Sequence, residues 1–218
     1  MNFTALFSEL QLVWPRLLMG VGTTLLVSGL AVLFGSVLGF LLGLANHFGK
    51  AVTRVLSWVY LDVVRGTPVL VLILATYYIL PITGLALSAR DAGLVALTIF
   101  CSAHVAEVIR GGLMSVPPGQ DEAAKSIGLN WPQRLAYVIL PQAIRQALPA
   151  WINAAVEIVK ASTLLSVIGA AELMLTIQQT VSRNYMNAEF YLVAAILYLA
   201  INLGISAIGK RIEKATAF

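Results

Sequence analysis

Charge is what this sequence has least of. Asp, Glu, Lys and Arg make up 11% of its 218 residues, where soluble domains run nearer ~25%. With 59% hydrophobic residues and a mean hydropathy of +0.88, a soluble globular domain is excluded and a polytopic membrane protein is indicated. Cysteine is almost as scarce. Cys101 is the single one and sits inside an apolar run, so an intramolecular disulfide and a CxxC metal or redox motif are both excluded. It reads as a small core residue.

Catalytic and ligand-binding signatures are also missing. The nearest approach to a phosphate loop is GLANHFGKA at 43–51, with five residues between its glycines and Ala51 after the lysine; a P-loop needs four, then Ser or Thr. His104 and Glu107 stand three apart, a spacing two metal ligands share, but the chain has two histidines in all and no third ligand nearby. No Ser-His-Asp or Cys-His arrangement stands out. The chain is therefore expected to be no enzyme and to bind no metal or cofactor of its own.

Residues 1–15 contain no Lys or Arg, and the apolar stretch from Leu17 to Ala45 is too long for a signal-peptide core. It is expected to stay as the first anchor. Crossing ~30 Å of hydrocarbon takes about 20 apolar helical residues. Windows 17–45, 90–109, 149–171 and 188–209 satisfy this, and a fifth, 52–80, is interrupted by Arg65-Gly66-Thr67-Pro68, which should kink or break it. The expected architecture is all-α: one transmembrane domain over residues 1–218, with about five spans.

The net charge of +4 reads as topology rather than as nucleic-acid binding. Lys50 and Arg54 flank the first loop, Arg110, Lys125, Arg134 and Arg145 fill the third, and Lys210, Arg211 and Lys214 follow the last span. Basic loops face the cytoplasm, which puts the N-terminus outside and the C-terminus inside.

Several membrane-depth residues are polar. Asn153, Glu157 and Lys160 follow at steps of four and three, hence on one helical face, and such groups tend to face a protein interior or an aqueous cavity. This stripe is the first candidate for a solute pathway, with Glu157 facing an ammonium and Asn153 polar groups. The alternative is that Glu157 and Lys160 neutralise each other at a subunit interface. Asp62 and Arg65, at i and i+3, are placed to form a structural pair beside the break, and Glu107 is placed to pair with Arg110. Gly35, Gly39 and Gly43 have the spacing of close helix packing, and Tyr60, Tyr77 and Tyr78 read as packing residues.

One stretch is unlike the rest. After Pro117-Pro118-Gly119, Asp121 and Glu122 suit a first helical turn, Ala123, Ala124 and Ile127 form a small apolar stripe, and Gly128 is placed to end the helix in a left-handed conformation. Asn130 and Gln133 then have capping-box spacing, Trp131, Leu135 and Val138 share a face, and Pro141 is expected to close a second helix. The result is a helical hairpin over about 117–141 on the cytoplasmic side. A short helix of this kind can dock in a groove of a partner protein; an ordinary intracellular loop is the alternative.

The hairpin resembles the EAA loop of permease subunits of ABC importers. Glu122, Ala123, Ala124, Gly128, Leu140 and Pro141 match that pattern, with Val138 at the position usually Ile. Arg65-Gly66-Thr67-Pro68, AEVIRGGL at 106–113 and KASTLLSVIG at 160–169 are similar to segments of the polar amino acid uptake branch. His104 stands where that branch commonly has Tyr, and Ala161 where it has Asp.

The resemblance implies a type I importer fold in a bacterial inner membrane. It also implies a second permease subunit, the same or similar, and two cytoplasmic ATP-binding subunits that hold ATP and magnesium and grip the EAA helices. An extracytoplasmic binding protein would deliver a polar amino acid. Glu122, Ala123, Ala124 and Gly128 would carry the coupling to the ATPases. An opine or another amino-acid-derived solute is an alternative cargo, and a channel or scaffold needing no ATPase is an alternative class.

Overall fold

The structure is a computed structural model and describes residues 3–216. Helix α1 (Phe3–Phe48) is about 69 Å long at 1.5 Å per residue, more than twice a hydrocarbon core, so the window 17–45 covers only its middle. Helices α2 (Ala51–Gly66) and α3 (Val69–Tyr78) meet at 102°. Pro68 lacks a backbone donor and holds Thr67 in an extended conformation, which ends α2 as expected. The Thr67 hydroxyl donates to the Val63 carbonyl at 2.7 Å, giving one of the orphaned carbonyls at the break a partner.

Helix α4 (Ala89–Met114) starts at Ser88, whose hydroxyl accepts from the Asp91 N–H. Helix α5 (Pro118–Ser126) and the short helix α6 (Trp131–Arg134) form the hairpin. From α6 the chain runs through a π turn at Leu135–Ile139 into α7 (Leu140–Ala161) and a 3₁₀ turn at Ser162–Ile168. Helices α8 (Leu173–Asn184) and α9 (Asn187–Thr216) complete the described chain.

Leu6–Phe48, Ala89–Met114, Trp131–Ile168 and Asn187–Ala215 are each long and apolar enough to cross a membrane, and the bent α2–α3 pair makes a fifth span if counted as one. Both boundaries of the fourth span differ from the sequence expectation. Pro141 does not close the second hairpin helix; the helix continues through it into the fourth span. The π turn immediately before Pro141 relaxes the backbone where an α-helical N–H would be missing, and Gln142 Nε2 donates to the Val138 carbonyl at 2.8 Å. At its far end the span stops at Gly169, which is left-handed with φ 78°, short of the window's end at 171.

Helix α4 is the centre of the fold. In its most apolar window 56% of residues are buried, against 11% for α9. The glycine stripe of α1 packs on it: a Cβ at Gly35 would stand 2.6 Å from Cys101 Cβ, and one at Gly39 2.6 Å from the Ser102 carbonyl. Cys101 is accordingly a fully buried core residue, as its setting indicates.

At the end away from the hairpin, Glu172 joins three helices. Its carboxylate accepts from the Leu175 and Met174 N–H groups at the start of α8, from Tyr198 Oη of α9 at 2.7 Å and from Thr24 Oγ1 of α1 at 3.4 Å. Arg183 of α8 also pairs with Glu9 of α1 at 2.5 Å.

Candidate functional site

The candidate residues fall in two places. The first is the hairpin. Helix α5 begins at Pro118, the helical position where a missing N–H costs nothing, so Asp121 lies in its first turn and Glu122 falls one residue further in than the sequence suggested. Ala124 is buried, whereas Glu122, Ala123 and Gly128 are exposed and Ile127 is 76% exposed. The apolar stripe is thus split: Ala124 seats the helix, and Ala123 with Ile127 faces outward.

Gly128 has φ 84° with open space around it, the left-handed terminator that the sequence indicated. Asn130 and Gln133 make both bonds of the capping box, at 3.1 and 2.9 Å. Further contacts brace the hairpin that spacing had not shown. Arg134 Nε lies 3.3 Å from Asp121 Oδ1, Gln142 Nε2 donates to Gln120 Oε1 at 3.2 Å, and Trp131 meets Phe48 of α1 edge to face at 4.8 Å. A cavity of about 290 Å³ between α1, α4 and the hairpin is lined by His47, Phe48, Asp121 and Glu122 among others.

The second place is a groove between α4 and α7. Asn153 and Glu157 line a cavity of about 290 Å³ together with Arg65, His104, Glu107 and Ala154. Lys160, the third residue of the stripe, does not line it. Glu157 and Lys160 form no ion pair with each other among the described residues. Asp62 is likewise not the partner of Arg65. Arg65 Nη1 lies 3.5 Å from Glu107 Oε2, because the break at Gly66–Pro68 turns the end of α2 toward α4 and overrides the i, i+3 expectation.

Glu107 pairs with Arg110 as its spacing suggested. Arg110 Nε donates to the two carboxylate oxygens at 3.1 and 3.2 Å, with Nη2 on Oε1 as well. One carboxylate therefore holds two guanidiniums from different spans. The ring of His104 lies on Phe100, with centroids 4.3 Å apart and Nδ1 2.9 Å from the Phe100 carbonyl. Arg65, His104 and Glu107 are the polar cavity residues that the pathway stripe read from the sequence did not include. The signal for them was their polarity at membrane depth, which applied to α2 and α4 as much as to α7.

Outside the spans, burial pushes the Glu172 carboxyl above the usual carboxylate range, against the hydrogen bonds from Met174, Tyr198, Leu175 and Thr24.

The chain is similar to several known proteins. The glutamine transport system permease protein GlnP of Escherichia coli (strain K12) is 34% identical over 207 residues, covering 93% of this chain and 94% of its own. The nopaline transport system permease protein NocM of Agrobacterium fabrum is 33% identical over 211 residues, covering 91% and 88%. A crystal structure of an amino acid ABC transporter with histidines contains a chain that superposes with a TM-score of 0.90 at 34% identity, over 99% of each chain. The profile of binding-protein-dependent transport system inner membrane components matches residues 35–217. With its membrane-spanning helices and a family match over residues 35–217, the chain belongs to that family and is a multi-pass inner membrane transport subunit.

Proposed function

We propose that this chain is the permease of an ATP-driven importer of polar amino acids. The observation that carries the reading is the α4–α7 groove: Arg65, His104, Glu107, Asn153 and Glu157 line one cavity at membrane depth, where ionisable groups are costly unless they meet water or solute. Glu157 offers a carboxylate to a solute ammonium, Asn153 hydrogen bonds to its polar groups, and Lys160 a cation one turn further along α7. The groove is open on one side, and a second permease, the same or similar, closes it.

Two ATP-binding subunits grip the hairpin at Glu122, Ala123, Ala124 and Gly128 and hold the ATP and magnesium. The hairpin and the basic loops are cytoplasmic, with the N-terminus outside, where a solute-binding protein delivers the cargo. The glutamine permease relative supports a polar amino acid as cargo. The nopaline relative supports a second reading, an opine or similar amino-acid derivative, in the same cavity.

The test is ATP hydrolysis by the chain reconstituted in lipid with the ATPase, binding protein and any second permease encoded beside it, measured against a panel of amino acids and opines. Stimulation by one polar amino acid through its binding protein, with a raised half-saturation in Glu157→Gln, is the expected result. Failure of an ATPase to copurify, with hydrolysis at background, overturns the reading and leaves a channel or scaffold.

A further inference from the structure

A second cavity continues the first toward the hairpin. It has a volume of about 330 Å³ and is lined by Glu107, Val108 and Ala150 again, now with Gly111, Ser115 and Gln146. Glu107, Val108 and Ala150 are thus the wall common to both spaces. Between 104 and 115 on α4, and between 157 and 146 on α7, the seam is lined without a break for about three helical turns. Glu107 stands at its waist, held by Arg110 of its own helix and by Arg65 from the broken span.

We propose that the Arg65–Glu107–Arg110 cluster is the gate on the release route, which runs down the α4–α7 seam from the Asn153–Glu157 cavity to the Gly111–Ser115 cavity. The two arginines hold Glu107 unequally. Arg110 makes charge-assisted hydrogen bonds to both carboxylate oxygens, whereas Arg65 approaches one oxygen at 3.5 Å, beyond a good hydrogen bond. Separation from Arg65 is therefore the easier step, and it leaves Glu107 paired.

Arg65 is the penultimate residue of α2, beside the 102° break, so movement of the α2–α3 elbow relative to α4 opens or closes this contact. Because Arg65 also lines the upper cavity, a solute carboxylate arriving there competes with Glu107 for its guanidinium. Gate opening is in this way coupled to the chemistry of the cargo. The inference rests on the pathway reading above, but its test needs no cargo.

The test is thiol accessibility in inside-out membrane vesicles carrying the whole transporter, with a charged, membrane-impermeant methanethiosulfonate applied from the hairpin side. Ala154→Cys reports the upper cavity and Gly111→Cys the lower one, where a side chain meets open space; Cys101 is buried, and the parent protein gives the background. With Glu107 present, Gly111→Cys reacts fast and Ala154→Cys slowly. Adding Glu107→Ala raises the Ala154→Cys rate by about tenfold, as when an open state of ~10% becomes dominant, and leaves Gly111→Cys unchanged. Glu107→Asp, which keeps the charge and shortens its reach, gives an intermediate rate. Equal reactivity of both cysteines with Glu107 in place overturns the gate, as does an Ala154→Cys rate indifferent to both Glu107 variants. If the gate result holds while Glu157→Gln leaves cargo stimulation unchanged, the route stands and the cargo site assigned to Glu157 does not.

Discussion

Asp121 and Arg134 stand 3.3 Å apart across the hairpin, one on each arm, and the Arg134 side chain is only 17% exposed. The pair fixes the angle at which α5 is presented while α6 runs on into a membrane span. Under the proposed coupling role, a push on α5 would be passed through this contact to α7.

Breaking that pair should affect coupling more than stability. An ion pair with one partner at the surface contributes about 1 kcal/mol or less, so Asp121→Asn should leave the melting temperature of the purified complex nearly unchanged. Uptake per ATP hydrolysed should fall about fivefold, the lower range of site-to-site coupling. Parallel measurement of uptake and phosphate release in proteoliposomes checks this. A proportional fall in both would make the pair a stability contact only.

Gly128 should tolerate little else. Its φ of 84° costs an L-residue about 1–2 kcal/mol, more for a β-branched side chain, although a Cβ would meet no neighbour. Gly128→Val should therefore uncouple hydrolysis from uptake, and Gly128→Asn should retain most function because Asn is frequent in this conformation. Equal behaviour of the two variants would show that backbone conformation at 128 is not the reason.

The glycines of α1 divide into two groups. A Cβ at Gly39 would stand 2.6 Å from the Ser102 carbonyl and 2.7 Å from Val105 Cβ, whereas a Cβ at Gly22 meets nothing within 4 Å. Gly39→Ala should force α1 from α4 and destabilise the protein by about 1–3 kcal/mol; Gly22→Ala should be neutral or slightly stabilising. Thermal unfolding in detergent by tryptophan fluorescence distinguishes them.

Much of this was legible because it depends on short-range chemistry. Gly128, the Asn130–Gln133 box and the Glu107–Arg110 pair each follow from a spacing within one or two turns, and the break before Pro68 follows from a missing donor. The apolar windows located the spans because lipid imposes a length. What could not be read was tertiary. The partner of Arg65 depends on the direction α2 takes at its broken end, and the passage of the helix through Pro141 depends on a π turn that no residue type signals. Glu172 carried no sequence signal, since its partners Thr24 and Tyr198 lie 148 and 26 residues away.

Glu172 also gives the pH dependence a sign. Burial raises its carboxyl above the usual range in the folded protein, while the unfolded chain titrates near the ordinary glutamate value of about 4.3. Between those two values the folded state binds the extra proton, so stability falls as pH rises. The contribution of Glu172 is fully present below the unfolded value and is lost as pH climbs through the raised folded value. Glu172→Gln lacks this titration, although its amide also presents two donors to a site that supplies the Met174, Leu175 and Tyr198 donors. The melting-temperature difference, native minus Glu172→Gln, should therefore shrink as pH climbs from the unfolded value through the raised folded value, whatever its absolute size. Thr24→Val, which removes the hydroxyl from the same cluster and leaves the carboxyl in place, should retain the slope of the native protein. A difference that widens with pH would mean that the four hydrogen bonds outweigh burial and hold Glu172 ionised in the folded state.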